Sequence, residues 1–223
     1  MKKTITILAM LALSAATAFA QMTFGAGYAH NIASTVVGDS KPANAQTDGF
    51  YVEGGLQAQL GEILTFSPSL RYTFLASGET NAYTIPVVGT LTGTSSLQEH
   101  YISIPAMFEL NLDLDNGRFF MFAGPTANFG LASTAKISAS AGSGIASSIL
   151  DALGIGSKAN TALDLYKDET YNRFDVMLGG GVGFQFSNII LKAGYNYGMI
   201  DRNKLANTQL HDQQIYFGIS YAM

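Results

Sequence analysis

Residues 171–199, YNRFDVMLGGGVGFQFSNIILKAGYNYGM, alternate apolar and polar side chains over nearly their whole length. Phe174, Val176, Leu178, Val182, Phe184 and Phe186 share one parity; Arg173, Asp175, Gly179, Gly181, Gly183 and Gln185 share the other. After Ser187-Asn188 the pattern resumes, with Ile189, Leu191, Ala193, Tyr195, Tyr197 and Met199 opposed to Lys192, Gly194, Asn196 and Gly198. Successive side chains on a strand point to opposite faces, so the stretch reads as a β-hairpin with one apolar and one polar, glycine-rich face.

The same pattern recurs along the chain. A first segment covers Met22 to about Ala33, a second Phe50 to Leu60, a third Leu64 to Leu75, a fourth His100 to Leu112 and a fifth Phe119 to about Ser133. The hairpin supplies the sixth and seventh, and Gln213 to Met223 the eighth. The third is the cleanest: Leu64, Phe66, Pro68, Leu70, Tyr72 and Phe74 against Thr65, Ser67, Ser69, Arg71 and Thr73. Between the fourth and fifth, Asp113 to Arg118 is a short turn containing Asn116-Gly117, a strong hairpin signal.

The connections alternate as regularly as the side chains. Short turns join segments 2 and 3, 4 and 5, and 6 and 7, whereas 35–48, 77–99, 134–170 and 200–212 are long and polar. Outer-membrane barrels have short periplasmic turns and longer extracellular loops. An even number of strands puts both termini on the periplasmic side. Each segment has about the 9–11 residues that a tilted strand needs to cross a bilayer.

The N-terminus fits export. Lys2 and Lys3 precede an apolar run from Ile5 to Ala16, and Ala18-Phe19-Ala20 reads as a cleavage site, so 1–20 is expected to be a signal peptide and 21–223 the barrel domain. The run is shorter than the roughly 20 residues of a transmembrane helix. Charged residues make up only 13% of the chain, about half the share of soluble domains, and there is no cysteine, which removes disulfides and thiolate chemistry. The formal charge of −4 becomes more negative once Lys2 and Lys3 are removed. With no basic cluster, nucleic acid is not an expected partner.

Closure follows from the solvent. Lipid offers nothing to a free strand edge, so a sheet spans a bilayer only as a closed barrel. The expected fold is therefore all-β: an eight-stranded antiparallel transmembrane up-and-down barrel whose narrow interior is filled by side chains. The polar parity then faces inward. It brings Glu53, Glu109 and Asp175 together with Arg71, Arg173 and Lys192, three acids against three bases, in an expected polar plug. Inward glycines, among them Gly25, Gly27, Gly181 and Gly218, leave room for these longer groups. The lipid-facing parity carries almost no charge, as it must, since Arg or Lys at the midplane costs about 2–4 kcal/mol.

The stretch YISIPAMFELNLDLDNGRFFMFAGPTANFGLAS (101–133) resembles the signature of PorT-like outer-membrane β-barrel proteins, and NRFDVMLGGGVGFQFSNIILKAGYNYGMID (172–201) resembles two further segments of that family. The likeness extends over nearly the whole mature chain and marks architecture, not activity. It implies residence in the cell outer membrane, contact with outer-membrane lipid, and insertion by the barrel-assembly machinery. Gly218, Tyr221 and Met223 fit the C-terminal insertion signal, although Met223 stands where a terminal Phe is commoner.

The remaining candidates are weaker. His30, His100 and His211 fall near the extracellular strand ends on the lipid-facing parity, and His30 and His211 lie on neighbouring strands. A lipid-modifying site or a metal site would need them to converge; the plainer reading is an interfacial girdle. The 134–170 connection holds Ile145, Ile149, Leu150, Leu153 and Ile155 at helical spacing, which suggests a short amphipathic helix. Gly179 to Gly183 imitates a phosphate loop, but the spacing is wrong and no helix follows. No catalytic, cofactor-binding or metal-binding residue is assigned, and no cofactor is expected. The expectation is a monomeric, non-enzymatic barrel with a structural or surface-interaction role, its loops meeting an extracellular ligand. The alternatives are a narrow pore or a carrier of small hydrophobic molecules, an outer-leaflet lipid-modifying enzyme, and a soluble barrel with its faces inverted.

Overall fold

The structure, a computed structural model, describes residues 20–38, 40–85, 89–141, 160–167, 171–204 and 207–223. The expected signal peptide, apart from Ala20, and the expected helix around 145–155 lie outside these residues. The strands are β1 (Gln21–Val37), β2 (Ala43–Gln59), β3 (Leu64–Ile85), β4 (Gly89–Leu114) and β5 (Gly117–Ala141), followed by β6 (Asn160–Asp164), β7 (Phe174–Phe186), β8 (Ile189–Gly198) and β9 (Thr208–Ala222).

Every pairing is antiparallel. The order runs β4–β3–β2–β1–β9–β8–β7–β5, and β5 pairs back onto β4 from Leu114↔Gly117 upward. Eight strands thus form a closed ring in which the first and last are neighbours, with Phe24 opposite Tyr221. The alternation decides which face is which. Phe24, Val52, Leu70, Ile104, Phe108, Leu178, Val182, Leu191, Phe217 and Ile219 are exposed on the outer wall, while Thr23, Glu53, Arg71, Thr73, Glu109, Asn128, Asp175 and Asn196 are buried inside. A soluble barrel would show the reverse, so the outer wall is built for lipid.

Two tight turns match the sequence. Asp115 and Asn116 join β4 to β5, and Ser187 and Asn188 join β7 to β8, with Ser187 in the left-handed region (φ 52°). The outer connections differ from expectation. β3 and β4 stay paired from Ala76↔Gln98 to Ile85↔Gly89, where 77–99 reads as a polar loop. β5 likewise runs on to Ala141, and β6 pairs with it from Thr134↔Asp164 to Ser138↔Asn160, inside the expected 134–170 loop. The 77–99 stretch is rich in Thr, a good strand former, and the 134–141 and 160–164 stretches add Ile137, Thr134 and Thr161. In water neither face of a hairpin needs to be apolar, so pairing continues with no periodicity to announce it.

Candidate functional site: a filled lumen and its outer rim

Inside the barrel the side chains form successive layers, starting from the end that carries the short turns. There Arg118 donates from Nη2 to Gln185 Oε1 at 2.5 Å, Gln57 donates from Nε2 to Glu109 Oε2 at 3.2 Å, and Asn111 donates to Thr65 Oγ1 at 2.8 Å. Next come the charges. Arg71 donates to Glu53 Oε2 from Nε (3.1 Å) and Nη2 (2.8 Å), and Lys192 donates from Nζ to Glu53 Oε1 at 2.8 Å. Both carboxylate oxygens are engaged, from opposite sides of the ring.

An aromatic layer holds this group in place. The Arg71 guanidinium lies between Tyr51 (4.3 Å to the ring centroid) and Tyr216 (4.5 Å), and the two rings meet edge-on at 6.0 Å. Phe122 packs beside Tyr216, and Phe120 beside Phe122. The inward glycines make this layer possible. A Cβ on Gly27 or Gly218 would run into Tyr51, one on Gly194 into Tyr216, and one on Gly181 or Gly183 into Phe122 or Phe120. The glycines therefore accommodate aromatic rings more than charged groups, and the plug is partly aromatic where a polar one is expected.

The candidate lumen residues separate into three groups. Glu53, Arg71 and Lys192 come together as one ion cluster. Glu109 is buried but rests on the Gln57 amide, with no cation within salt-bridge distance among the described residues. Asp175 is buried near the outer end and accepts the Ile200 backbone N–H at 3.0 Å. Arg173 does not enter the lumen at all. It precedes the first residue of β7 and is exposed on the rim, where Nη1 donates to Gly130 O and Leu131 O. Its carbonyl still accepts the Gly130 N–H at 2.7 Å, but Arg173 precedes the regular pairing of β7, and parity assigns a face only within that pairing.

The outermost layer is centred on Arg202, which the sequence places in an undistinguished polar connection. Only 2% of it is exposed. It pairs with Asp212 on β9, and its Nη2 lies 3.3 Å from Glu99 Oε1 on β4 and 3.2 Å from the Tyr166 hydroxyl. The rings of Tyr101 and Tyr171 flank it at 5.3 and 5.5 Å. Asn31 on β1 donates to Asp212, and Tyr101 donates to Glu99 at 2.6 Å. Arg202 thereby sits in the barrel mouth and ties Tyr166 and Tyr171 to the wall. Tyr166 lies beyond the bilayer, and burial pushes its hydroxyl above the usual range, keeping it neutral.

The three histidines do lie on the outer face, but they do not converge. His30 sits opposite Ile215, and His211 opposite Ser34, four residues apart along the β1–β9 pair, or about 13 Å at ~3.3 Å per residue. Each has a separate partner: His30 Nδ1 meets Asp48 at 2.7 Å, His100 Nδ1 meets the Tyr72 hydroxyl at 2.7 Å, and His211 Nδ1 faces Gly198 O while its ring stacks on Tyr197. At the C-terminus Gly218 faces inward against Tyr51, and Tyr221 and Met223 are exposed on the outer wall.

A family model described as outer membrane protein beta-barrel domain matches residues 10–202. No curated protein matches the chain in sequence. Among solved structures the chain is similar to Ail, the attachment invasion locus protein of Yersinia pestis, at 15% identity, covering 92% of this chain and 99% of that one, with a TM-score of 0.42. It is also similar to Neisserial surface protein A, at 13% identity, with 89% and 96% covered and a TM-score of 0.39. A third similar structure is the outer membrane enzyme PagL, at 11% identity, with 85% and 97% covered and a TM-score of 0.40.

Proposed function

The chain belongs to the outer membrane protein beta-barrel domain family and is an integral protein of the cell outer membrane; on that premise we propose that it is a non-enzymatic barrel of the PorT-like kind whose work is done by its extracellular strands. The observation that carries this reading is the projecting sheet. Beyond Ala76, which still pairs with Asp48 of β2, the chain of β3 pairs only with β4 among the described residues. Residues 77–85 therefore present a free strand edge outside the bilayer, backed by β4, β5 and β6. Free edges accept a further strand, with main-chain hydrogen bonds giving affinity. The extracellular ligand that suits this surface is an extended peptide segment of another protein.

The layered lumen supports the same reading, because Arg202, the aromatic layer and the Glu53 cluster succeed one another along its axis. The separation of the histidines speaks against a hydrolytic site. A trimmed variant, with residues 80–94 replaced by an Asn-Gly turn, tests the proposal. Peptide-display selection on the folded protein in micelles is expected to enrich extended, β-branched peptides that bind the intact chain and not the trimmed one. Equal binding by both would contradict it, provided both show the heat-dependent gel shift of a folded barrel.

A further inference from the structure

The lipid-facing wall is not evenly filled. A groove of about 430 Å³ crosses β1 to β4, lined by Phe24, Val52, Gly54, Leu70, Tyr72 and Ile102. The strand register explains its shape. Phe24, Gly54 and Leu70 stand in one row of pairs, and Val52, Tyr72 and Ile102 stand in the next. Gly54 thus leaves a gap where a side chain would stand between Phe24 and Leu70. Glu53 and Arg71 also border the groove, but both side chains are buried in the lumen and bonded to each other, so they bring no free charge to it. The Tyr72 hydroxyl is likewise engaged, by His100 Nδ1 at 2.7 Å.

Nothing within the chain requires a glycine at this position. Inward glycines such as Gly27 and Gly183 lie against aromatic rings that a Cβ would strike. At Gly54 an added Cβ meets nothing closer than the Phe24 ring at 3.4 Å. Its backbone is outside the left-handed region, and the β1–β2 register runs through it without a bulge. A glycine inside a strand weakens it, and where no bulge or bend needs one it marks a place that something else approaches closely.

The surroundings decide what approaches. Exposed Tyr28 and Phe50 flank the groove toward the outer connections, and exposed Met22, Phe108 and Leu110 flank it toward the short turns, so it lies within the apolar band. β1 to β4 each have a neighbour on both sides in the closed ring, which leaves no edge for an added strand. The backbones of Phe24 and Leu70 are two strand spacings apart, about 10 Å, and their own side chains narrow the gap further. A helix, about 10–12 Å across with its side chains, is too wide for it. Among apolar occupants in a bilayer, packing decides. A hydrocarbon chain laid over Gly54 touches protein on three sides, where a smooth wall offers one, and a branched chain is too broad to enter. We propose that the Gly54 groove is a binding site for one unbranched acyl chain of a membrane lipid.

Native mass spectrometry of the full chain in detergent tests this with two phosphatidylcholines, one with straight and one with methyl-branched chains. The straight-chain lipid is expected to be retained about fivefold better, since only its chain fits the gap. Gly54→Leu fills the gap and should erase that preference. Ala193→Leu adds similar bulk to the outer wall of β8, between Val182 and Phe217, and should preserve it. Gel shift verifies that each variant is folded. Equal retention of the two lipids by the intact chain, a preference that survives Gly54→Leu, or one lost equally in Ala193→Leu would overturn the proposal. So would a dimer that Gly54→Leu dissociates, which would give the groove to a second copy of the chain.

Discussion

Arg71 stands directly opposite Glu53 across the β2–β3 pair, and the two meet inside the barrel with Nη2 2.8 Å from Oε2. The pairing register itself delivers acid to base, so the contact needs no long-range coincidence. Lys192 is different: it reaches Glu53 from β8, across the ring, and so reports on closure.

Removing Arg71 leaves a buried carboxylate with one remaining cation and empties the space between two tyrosines. Arg71→Ala is expected to lower stability by about 3–5 kcal/mol, the usual cost of orphaning a buried charge. Urea unfolding in lipid vesicles measures it. The triple change Glu53→Gln, Arg71→Met and Lys192→Met should cost less than Arg71→Ala, because it leaves no charge of the cluster behind.

Gly218 and Gly27 face each other across β1 and β9, and both abut the Tyr51 ring. Gly218→Leu drives a side chain into that ring in a filled lumen. The expected result is a loss of about 1–3 kcal/mol or more from overpacking, and a smaller folded fraction on a cold gel. Adding Tyr51→Ala to Gly218→Leu should recover part of it.

Arg202 ties two outer connections to the barrel mouth. Arg202→Ala leaves Asp212 and Glu99 without their shared cation, so limited proteolysis within 165–171 should quicken by about tenfold or more as local opening becomes easier. The membrane-embedded strands should keep their gel shift. An unchanged cleavage rate would mean that the connections are held by something other than this cluster.

The strands of the wall were legible because the bilayer enforces a strict alternation: Leu64 to Leu75 can be assigned residue by residue. The lumen was only half legible. Phe119, Phe120, Met121 and Phe122 are apolar on both parities, so nothing in the sequence marks Phe120 and Phe122 as inward. Near the rim a register shift between His100 and Tyr101 also breaks the count. Arg173 has the right parity but precedes its strand. Arg202 folds inward from a connection with no period, where only tertiary contacts decide position, whereas Asp212 lies on β9 with the inward parity of Gln214 and Tyr216, on a part of the strand that the sequence reads as a connection. Sequence reading passes over both; the one signal they offer is their charge, since in a chain with few charged residues each has to be accommodated.

Tyr221 and Met223 lie on the outer wall at the end of β9, where the assembly machinery is proposed to read the last strand. If so, Met223→Phe should raise the folded yield in cells and Tyr221→Ala should lower it, about twofold or more each way, while refolding of the purified chain into detergent changes little. Quantitative gel shift on membranes against refolded protein separates the two.

The barrel is closed and side chains fill its lumen in successive layers, and planar-bilayer recording tests whether any path remains through them. The intact chain, inserted and verified by gel shift, is expected to give no current steps above the lipid baseline. Reproducible unitary steps that change with Glu53 or Arg202 would show a conducting path through these layers and overturn the filled lumen.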